Sequence, residues 1–252
     1  DHDDIVASIR AALAAIFTER VSCEERVSCE AGESFNGYDP REGYDPREVS
    51  RFTLSTTLTT NALAQGRFGN AALAVIPGPG IRDEEWSEGL PVHVLSGAMD
   101  HRGKETGELD PAELSALAAG FAAQGIDAVA VAGKFSVRNP GQEQQTAETL
   151  RKNARLDVVC CSHTLTGMLN FPRRAVSAYY NAALWKLHTA FADAVAEAAE
   201  GVGGAEPLLL MAHGGGAPLG QSRDTCVEAA NSGPAASVLG IMALEGDRLR
   251  HE

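Results

Sequence analysis

From residue 50 onward, apolar positions follow two alternating rhythms. Largely apolar runs at Ala71–Ile76 (AALAVI), 126–132 (IDAVAVA) and 156–162 (LDVVCCS) predict strands covered on both faces, because a strand with one wet face would alternate. Residues 51–55, 92–96 and 207–212 read as further strands, and Pro77-Gly78-Pro79-Gly80 as a turn. Helical segments lie between them. Leu58–Gln65 is a short one. Asp110, Pro111 and Glu113 supply an N-cap, a first-turn proline and an N3 acid for a helix ending at Gly125. Residues 140–153 form a polar helix and 234–244 a small-residue helix. The longest helix, 174–200, carries Val176, Tyr180, Ala183, Leu187, Phe191, Val195 and Ala198 on one stripe, which predicts a core-facing surface. Residues 3–17 place Ile5, Ile9, Leu13 and Ile16 at helical spacing behind two acids. Strands alternating with helices predict an α/β protein, with antiparallel pairs admixed.

Between the first helix and this pattern, ERVSCE occurs twice in succession (19–24, 25–30), as does GYDPRE (37–42, 43–48). Hexamers are too short for a solenoid period, so they read as a loop insertion or an artefact of sequence assembly. The expected organisation is a helix over 1–18, an irregular insertion over 19–49 and an α/β domain over 50–252. Composition narrows the class. Thirty-four acids against 21 bases give a net charge of −13, which would repel a phosphate backbone, so no nucleic-acid partner is expected. No apolar run approaches the roughly 20 residues of a membrane helix, so no membrane partner is expected either. The five cysteines are odd in number and two are adjacent, unlike a disulfide framework, which points to the cytoplasm. A chain opening on Asp1 rather than Met reads as processed or trimmed.

Four constellations could carry chemistry. Ser55-Thr56-Thr57-Leu58-Thr59-Thr60-Asn61 crowds hydroxyls at a strand-to-helix turn; they suit an anion or a developing oxyanion, or serve as caps. His213-Gly214-Gly215-Gly216 follows a strand, and its glycines let the backbone approach a ligand closely. Lipases use such a segment as an oxyanion hole, but no G-x-S-x-G accompanies it here. Asn231-Ser232-Gly233-Pro234 shapes a helix start where Ser232 could cap. In Cys160-Cys161-Ser162-His163, strand alternation would put Cys161 and His163 on one face. Zinc would need further ligands, for which Cys226 and His213 qualify by type alone, so a buried apolar cysteine pair is expected instead of a metal. Asp100-His101-Arg102 lines a site or forms a solvated turn.

Taken in order, LSTTLTTNALAQGR, HVLSGAMDHRG with its following LDPAEL, AVAVAGKFSVRNPGQEQ, NFPRRAVSAYYNA, LLLMAHGGGAP and SGPAASVLG resemble the hydantoinase/oxoprolinase family, over about residues 50–245. That family includes ATP-dependent N-methylhydantoinases, 5-oxoprolinases and related subunits of acetone and acetophenone carboxylases. The resemblance implies an RNase-H-like (actin- or sugar-kinase-like) α/β fold, a mixed sheet with helices on both faces, incomplete in this chain. It also implies ATP and a divalent cation (Mg or Mn), a cyclic amide or imide as substrate, and phosphorylation of the amide oxygen before water opens the ring. A second, dissimilar subunit and a homo-oligomer are implied as well. Thr56, Thr57, Thr60 and Asn61 match the family's TT-x-x-TNA segment, and Gly214, Gly215, Ser232, Gly233 and Pro234 its glycine loop and SGP turn; His101 and Gly216 join them as cleft candidates. The family's D-x-GGT-x-TD phosphate loops are not found, and SHTLTGMLNFPRR departs from the usual pattern of that segment. The chain therefore reads as part of a longer enzyme, inactive alone; a non-catalytic assembly subunit and an ATP-independent esterase are the alternatives.

Overall fold

A computed structural model describes residues 6–12, 51–82, 86–87, 89–200 and 206–249, with side chains given as far as 245. The tandem hexamers, Cys23 and Cys29 lie outside the described residues. Helix α1 covers residues 6–12. There follow β1 (Thr53–Leu54), α2 (Leu58–Gln65), β2 (Ala71–Ile76), β3 (Val92–Val94), β4 (Ala98–Met99), β5 (Glu105–Gly107), α3 (Pro111–Gln124), β6 (Ala128–Gly133), α4 (Gly141–Asn153), β7 (Val158–Cys161), α5 (Ser162–Leu165), α6 (Phe171–Ala198), β8 (Leu208–Leu210), β9 (Gly216–Pro218) and α7 (Ser232–Leu249).

The continuous apolar runs became the centre of a parallel sheet in the order β3-β2-β6-β7. β2 and β6 pair along their whole length, from Ala71 against Ala128 to Ile76 against Gly133, and every residue of both is buried. Alternate residues serve opposite layers. Ala72, Ala74, Ile76, Val129 and Val131 meet Leu114, Ala118 and Phe121 of α3 and Ala147 and Leu150 of α4. Leu73, Val75, Ala130 and Ala132 meet Phe171, Ala175, Ala178 and Ala182 of α6. The expected mixed α/β architecture holds. The strands nevertheless sort into separate sheets: β1-β8-β9 pairs β1 with β8 in parallel and β8 with β9 antiparallel, and β4-β5 is a small hairpin.

Helix α6 joins the two larger sheets. Its 28 residues give about 42 Å of rod at 1.5 Å per residue. Its first half lies on the four-stranded sheet, while Ala192 and Val195 pack with Leu54 and Leu219 beside the smaller one. Of the expected stripe, Ala183, Val195 and Ala198 are buried as expected, and the rest is corrected. Val176, Tyr180, Leu187 and Phe191 are only half-buried, and the buried line runs through Ala175, Ala178, Ala182 and Ala183. Small side chains let the helix sit close to the sheet, so the bulkier ones are displaced to its flanks. No helix among the described residues is long and apolar enough to cross a membrane.

Candidate active-site cleft

The hydroxyl-rich turn and the SGP turn meet, although 176 residues separate Thr56 from Ser232. Ser232 Oγ donates to the Thr56 carbonyl at 2.9 Å and accepts from the Thr56 amide and Ser55 Oγ, each at 3.4 Å. Beside it the Asn231 amide donates to Thr60 Oγ1 at 2.8 Å. Asn231 holds a φ of 63°, a left-handed geometry that asparagine tolerates better than most residues. Gly233 faces Thr57 so closely that a Cβ there would lie 3.8 Å from Thr57 Cγ2. Ser232 is therefore not a plain cap. Its side chain is fully buried and ties the turn between β1 and α2 to the start of α7. Thr57 begins α2 without a side-chain cap, its Oγ1 accepting instead from Asn61 Nδ2 at 3.3 Å.

The His-Gly-Gly-Gly segment is a hairpin turn. Gly216 is already in β9, opposite Leu210. The Gly214 amide donates to the Met211 carbonyl, the Met211 amide to the Gly215 carbonyl, and the Gly215 amide to His213 Nδ1. An oxyanion hole needs free glycine amides, and those of Gly214 and Gly215 are engaged within the turn. His213 is exposed, with Nε2 3.9 Å from Glu228. Ala212, His213 and Gly214 border a cavity of about 450 Å³ with Asn231, Pro234, Ala235, Val238, Leu239 and Met242. The glycine turn and the SGP turn thus share one wall. His101 does not join them; its turn is held by Asp100, which accepts from the Arg102 and Lys104 amides, and through the Gly103 carbonyl by Asn139 Nδ2.

A second polar centre was not foreseen from the sequence. Glu143 of α4 is fully buried and accepts from the Gly133 amide (2.6 Å), Ser162 Oγ (2.5 Å), and the amide (3.1 Å) and Nδ1 (2.5 Å) of His163. Burial alone would raise its pKa, but hydrogen bonds from His163, Ser136, Ser162 and Gly133 outweigh that and hold the carboxyl below its ordinary range. Buried Arg174 completes the network, donating to Ser162 Oγ, Ser136 Oγ and the carbonyls of Met168 and Gly133. The available signal was periodicity: Glu143, Ala147 and Leu150 fall on one helix face, so an acid stands where the core begins. The neighbouring expectation is also corrected. β7 ends at Cys161 and α5 starts at Ser162, so strand alternation does not relate Cys161 to His163. Cys161 is buried and Cys160 half-buried, with Cys226 buried elsewhere.

Comparison with known proteins decides the family. The hydantoinase/oxoprolinase N-terminal region matches residues 2–154, and the hydantoinase/oxoprolinase region matches 174–251. The chain belongs to the hydantoinase/oxoprolinase family. Within it, the caprolactamase subunit alpha of Pseudomonas jessenii is 29% identical over 152 residues, covering 59% of this chain and 22% of that protein. The crystal structure of the ATP-dependent caprolactamase from Pseudomonas jessenii superposes with a TM-score of 0.73 at 24% identity, over 95% of this chain and 35% of that one. A nucleotide-free acetone carboxylase gives 0.66 at 14% identity, over 79% of this chain and 32% of that one. The chain spans about a fifth of the curated relative and about a third of these structures, which share its fold.

Family membership raises the question of ATP and a divalent cation. The described cleft residues do not fit a triphosphate. The cavity lining carries no lysine or arginine among the described residues, and the glycine amides beside it are engaged. What it offers is an apolar floor of Val238, Leu239 and Met242 with neutral polar groups at its rim.

Proposed function

We propose that this hydantoinase/oxoprolinase-family chain is part of an ATP-dependent hydrolase that opens a cyclic amide or imide, such as a hydantoin, 5-oxoproline or a related lactam. The reading rests on the seam between Thr56 and Ser232, which draws two distant family-matched segments to one place. Asn231, Pro234, His213 and Gly214 border the cleft, and Thr56, Thr57, Thr60, Asn61, Ser232 and Gly233 back that wall through the hydrogen bonds of Ser232 and Asn231, with Gly215 in the adjoining turn. Val238, Leu239 and Met242 receive the ring methylenes, and the exposed Asn231 at the rim meets the ring amide as a neutral hydrogen-bonding group. The triphosphate and its cation are held by residues other than these. The enzyme works in the cytoplasm with a second, dissimilar subunit, a pairing in keeping with the subunit alpha name of the relative.

The test is ring opening and ADP release by the full-length polypeptide with any co-purifying subunit, given hydantoin, 5-oxoproline and caprolactam in turn. At least one substrate should stimulate ADP release. Ser232→Ala should lower that turnover by about tenfold or more, a loss of about 1.4 kcal/mol of transition-state stabilisation. Ring opening that needs no ATP, or none with any cyclic amide, would overturn the reading. A second reading, an assembly subunit without catalysis, is favoured by one observation: Val238, Ile241, Met242 and Leu244 of α7 are exposed as an apolar row. It predicts that Ile241→Glu abolishes subunit association while the chain remains folded.

A further inference from the structure

Three side chains of different chemistry converge beside the buried arginine network. A carboxylate oxygen of Glu143, Sγ of Cys161 and Nδ1 of His163 all lie within 4.8 Å of one another. They come from α4, the last residue of β7 and the first turn of α5, and Glu143 and Cys161 are buried. We propose that Glu143, Cys161 and His163 form a binding site for a thiophilic divalent cation, with zinc as the fitting ion.

The donor set carries the assignment. Carboxylate, thiolate and imidazole together suit zinc rather than magnesium or calcium, which take oxygen ligands. Zinc bond lengths of about 2.0–2.3 Å place tetrahedral ligand atoms roughly 3.3–3.8 Å apart, so the cluster needs only small side-chain adjustments to close on an ion. The orientation of Glu143 is set from behind. Its Oε1 accepts from the Gly133 amide and Ser162 Oγ, and Ser162 is in turn held by Arg174 Nε, which leaves Oε2 turned toward His163. Fixing one carboxylate oxygen so that the other is presented to a metal is how surrounding hydrogen bonds orient a ligand. Cys161 Sγ makes a long 4.0 Å contact to the Glu143 carbonyl, with the Arg151 side chain beside it, so coordination displaces no short hydrogen bond from the Glu143 side.

Binding replaces protons by the ion. The Cys161 thiol loses its proton to solvent, and coordination replaces the hydrogen bond between His163 Nδ1 and Glu143, with the imidazole proton carried on Nε2, giving thiolate, neutral imidazole and carboxylate. Three protein ligands leave a fourth position for water. Cys161 also borders a cavity of about 380 Å³, with Cys160, Arg151, Thr164, Asn181 and Asp224 on its walls, through which an ion can arrive.

Cobalt(II) titration of the chelator-treated, untagged full chain tests it without nucleotide or substrate. One equivalent should bind with a thiolate-to-cobalt charge-transfer band in the near ultraviolet and visible bands of tetrahedral intensity, and zinc should displace it. Cys161→Ser should abolish the charge-transfer band, and Cys161→Ser and His163→Ala should each weaken binding at least about tenfold. Cys160→Ala should leave both unchanged. Circular dichroism of each variant confirms that the fold persists. No stoichiometric binding by the wild type, or binding and spectrum indifferent to Cys161→Ser, would overturn the site; loss of lactam hydrolysis alone would bear only on the proposed function.

Discussion

Single residues in this molecule are decided by where their hydrogen bonds end. Arg174, 1% exposed, sends its guanidinium to two hydroxyls and two carbonyls at once. Lysine is nearly as long and equally charged but cannot reproduce that fork. Arg174→Lys should therefore lower unfolding free energy by about 2–4 kcal/mol, measured by urea denaturation; a loss below about half a kcal/mol would sink this account. His188 makes a different case. Ser222 Oγ donates to the Leu219 carbonyl, so His188 must donate from Nε2 to Ser222, while its buried Nδ1 finds no partner. Burial, and then the charge of Arg223, lowers its pKa to about 4 from the ordinary 6.5. The folded state keeps the ring neutral where the unfolded chain takes up a proton. Its stability contribution is thus complete above pH 6.5 and is lost as pH falls from 6.5 toward 4. Thermal melts across that window should show the decline in the wild type and a shallower one in His188→Gln, which can keep a donor to Ser222. Of these residues, sequence made the hydroxyl turns visible because serine and threonine cluster there. Glu143 and Arg174 were hidden, because one acid in a polar helix and one arginine beside another carry no mark of burial until the partner strands are placed.

At the level of elements, boundaries set by a cap or turn were legible and those set by tertiary contacts were not. Helix α3 begins after Asp110, whose Oδ1 accepts from the Ala112 amide, and ends at Gly125 with a φ of 65°, as its sequence indicates. Even here the capping box is rewired: Glu113 accepts from the Ser96 amide, and the Asp110 amide donates to Ser96 Oγ. A residue from the preceding loop has entered a motif that local spacing treats as self-contained. Asp110→Ala should cost about 1 kcal/mol in chemical denaturation. In α6 the missed pattern is polar. Arg174, Asn181 and His188 are spaced by seven, which puts them on one side of the helix, and each is buried. Asn181 Nδ2 donates to the Asp224 carbonyl and its Oδ1 accepts from the Val227 amide, as His188 holds Ser222. The row fastens the helix to successive loops while the alanines beside it touch the sheet. Ala178→Leu should force α6 off that sheet and destabilise by about 1–3 kcal/mol; a neutral effect would mean the close contact is not what holds the helix.

For the whole molecule, the helix shared by two sheets should make them one cooperative unit. Trp86 lies over the four-stranded sheet against Phe171, and Trp185 packs near α2 and Cys226. Fluorescence of single-tryptophan variants at either position should report one midpoint, coincident with circular dichroism. Two separated transitions would show that α6 does not couple the halves. Fold class and family were readable because buried parallel strands and the motif order survive without coordinates. The division into separate sheets was not, because it depends on which distant strands pair. That pairing bears on the order of events at the ribosome. β2, β6 and β7 form a contiguous stretch of chain and can assemble with α3 and α4 as soon as they emerge. β1 is synthesised before them yet pairs through Thr53 with Leu208, and Thr56 waits still longer for Ser232. The threonine turn therefore stays unmatched until the SGP turn, 176 positions further along, has been synthesised, and this part of the cleft closes after the central sheet can form.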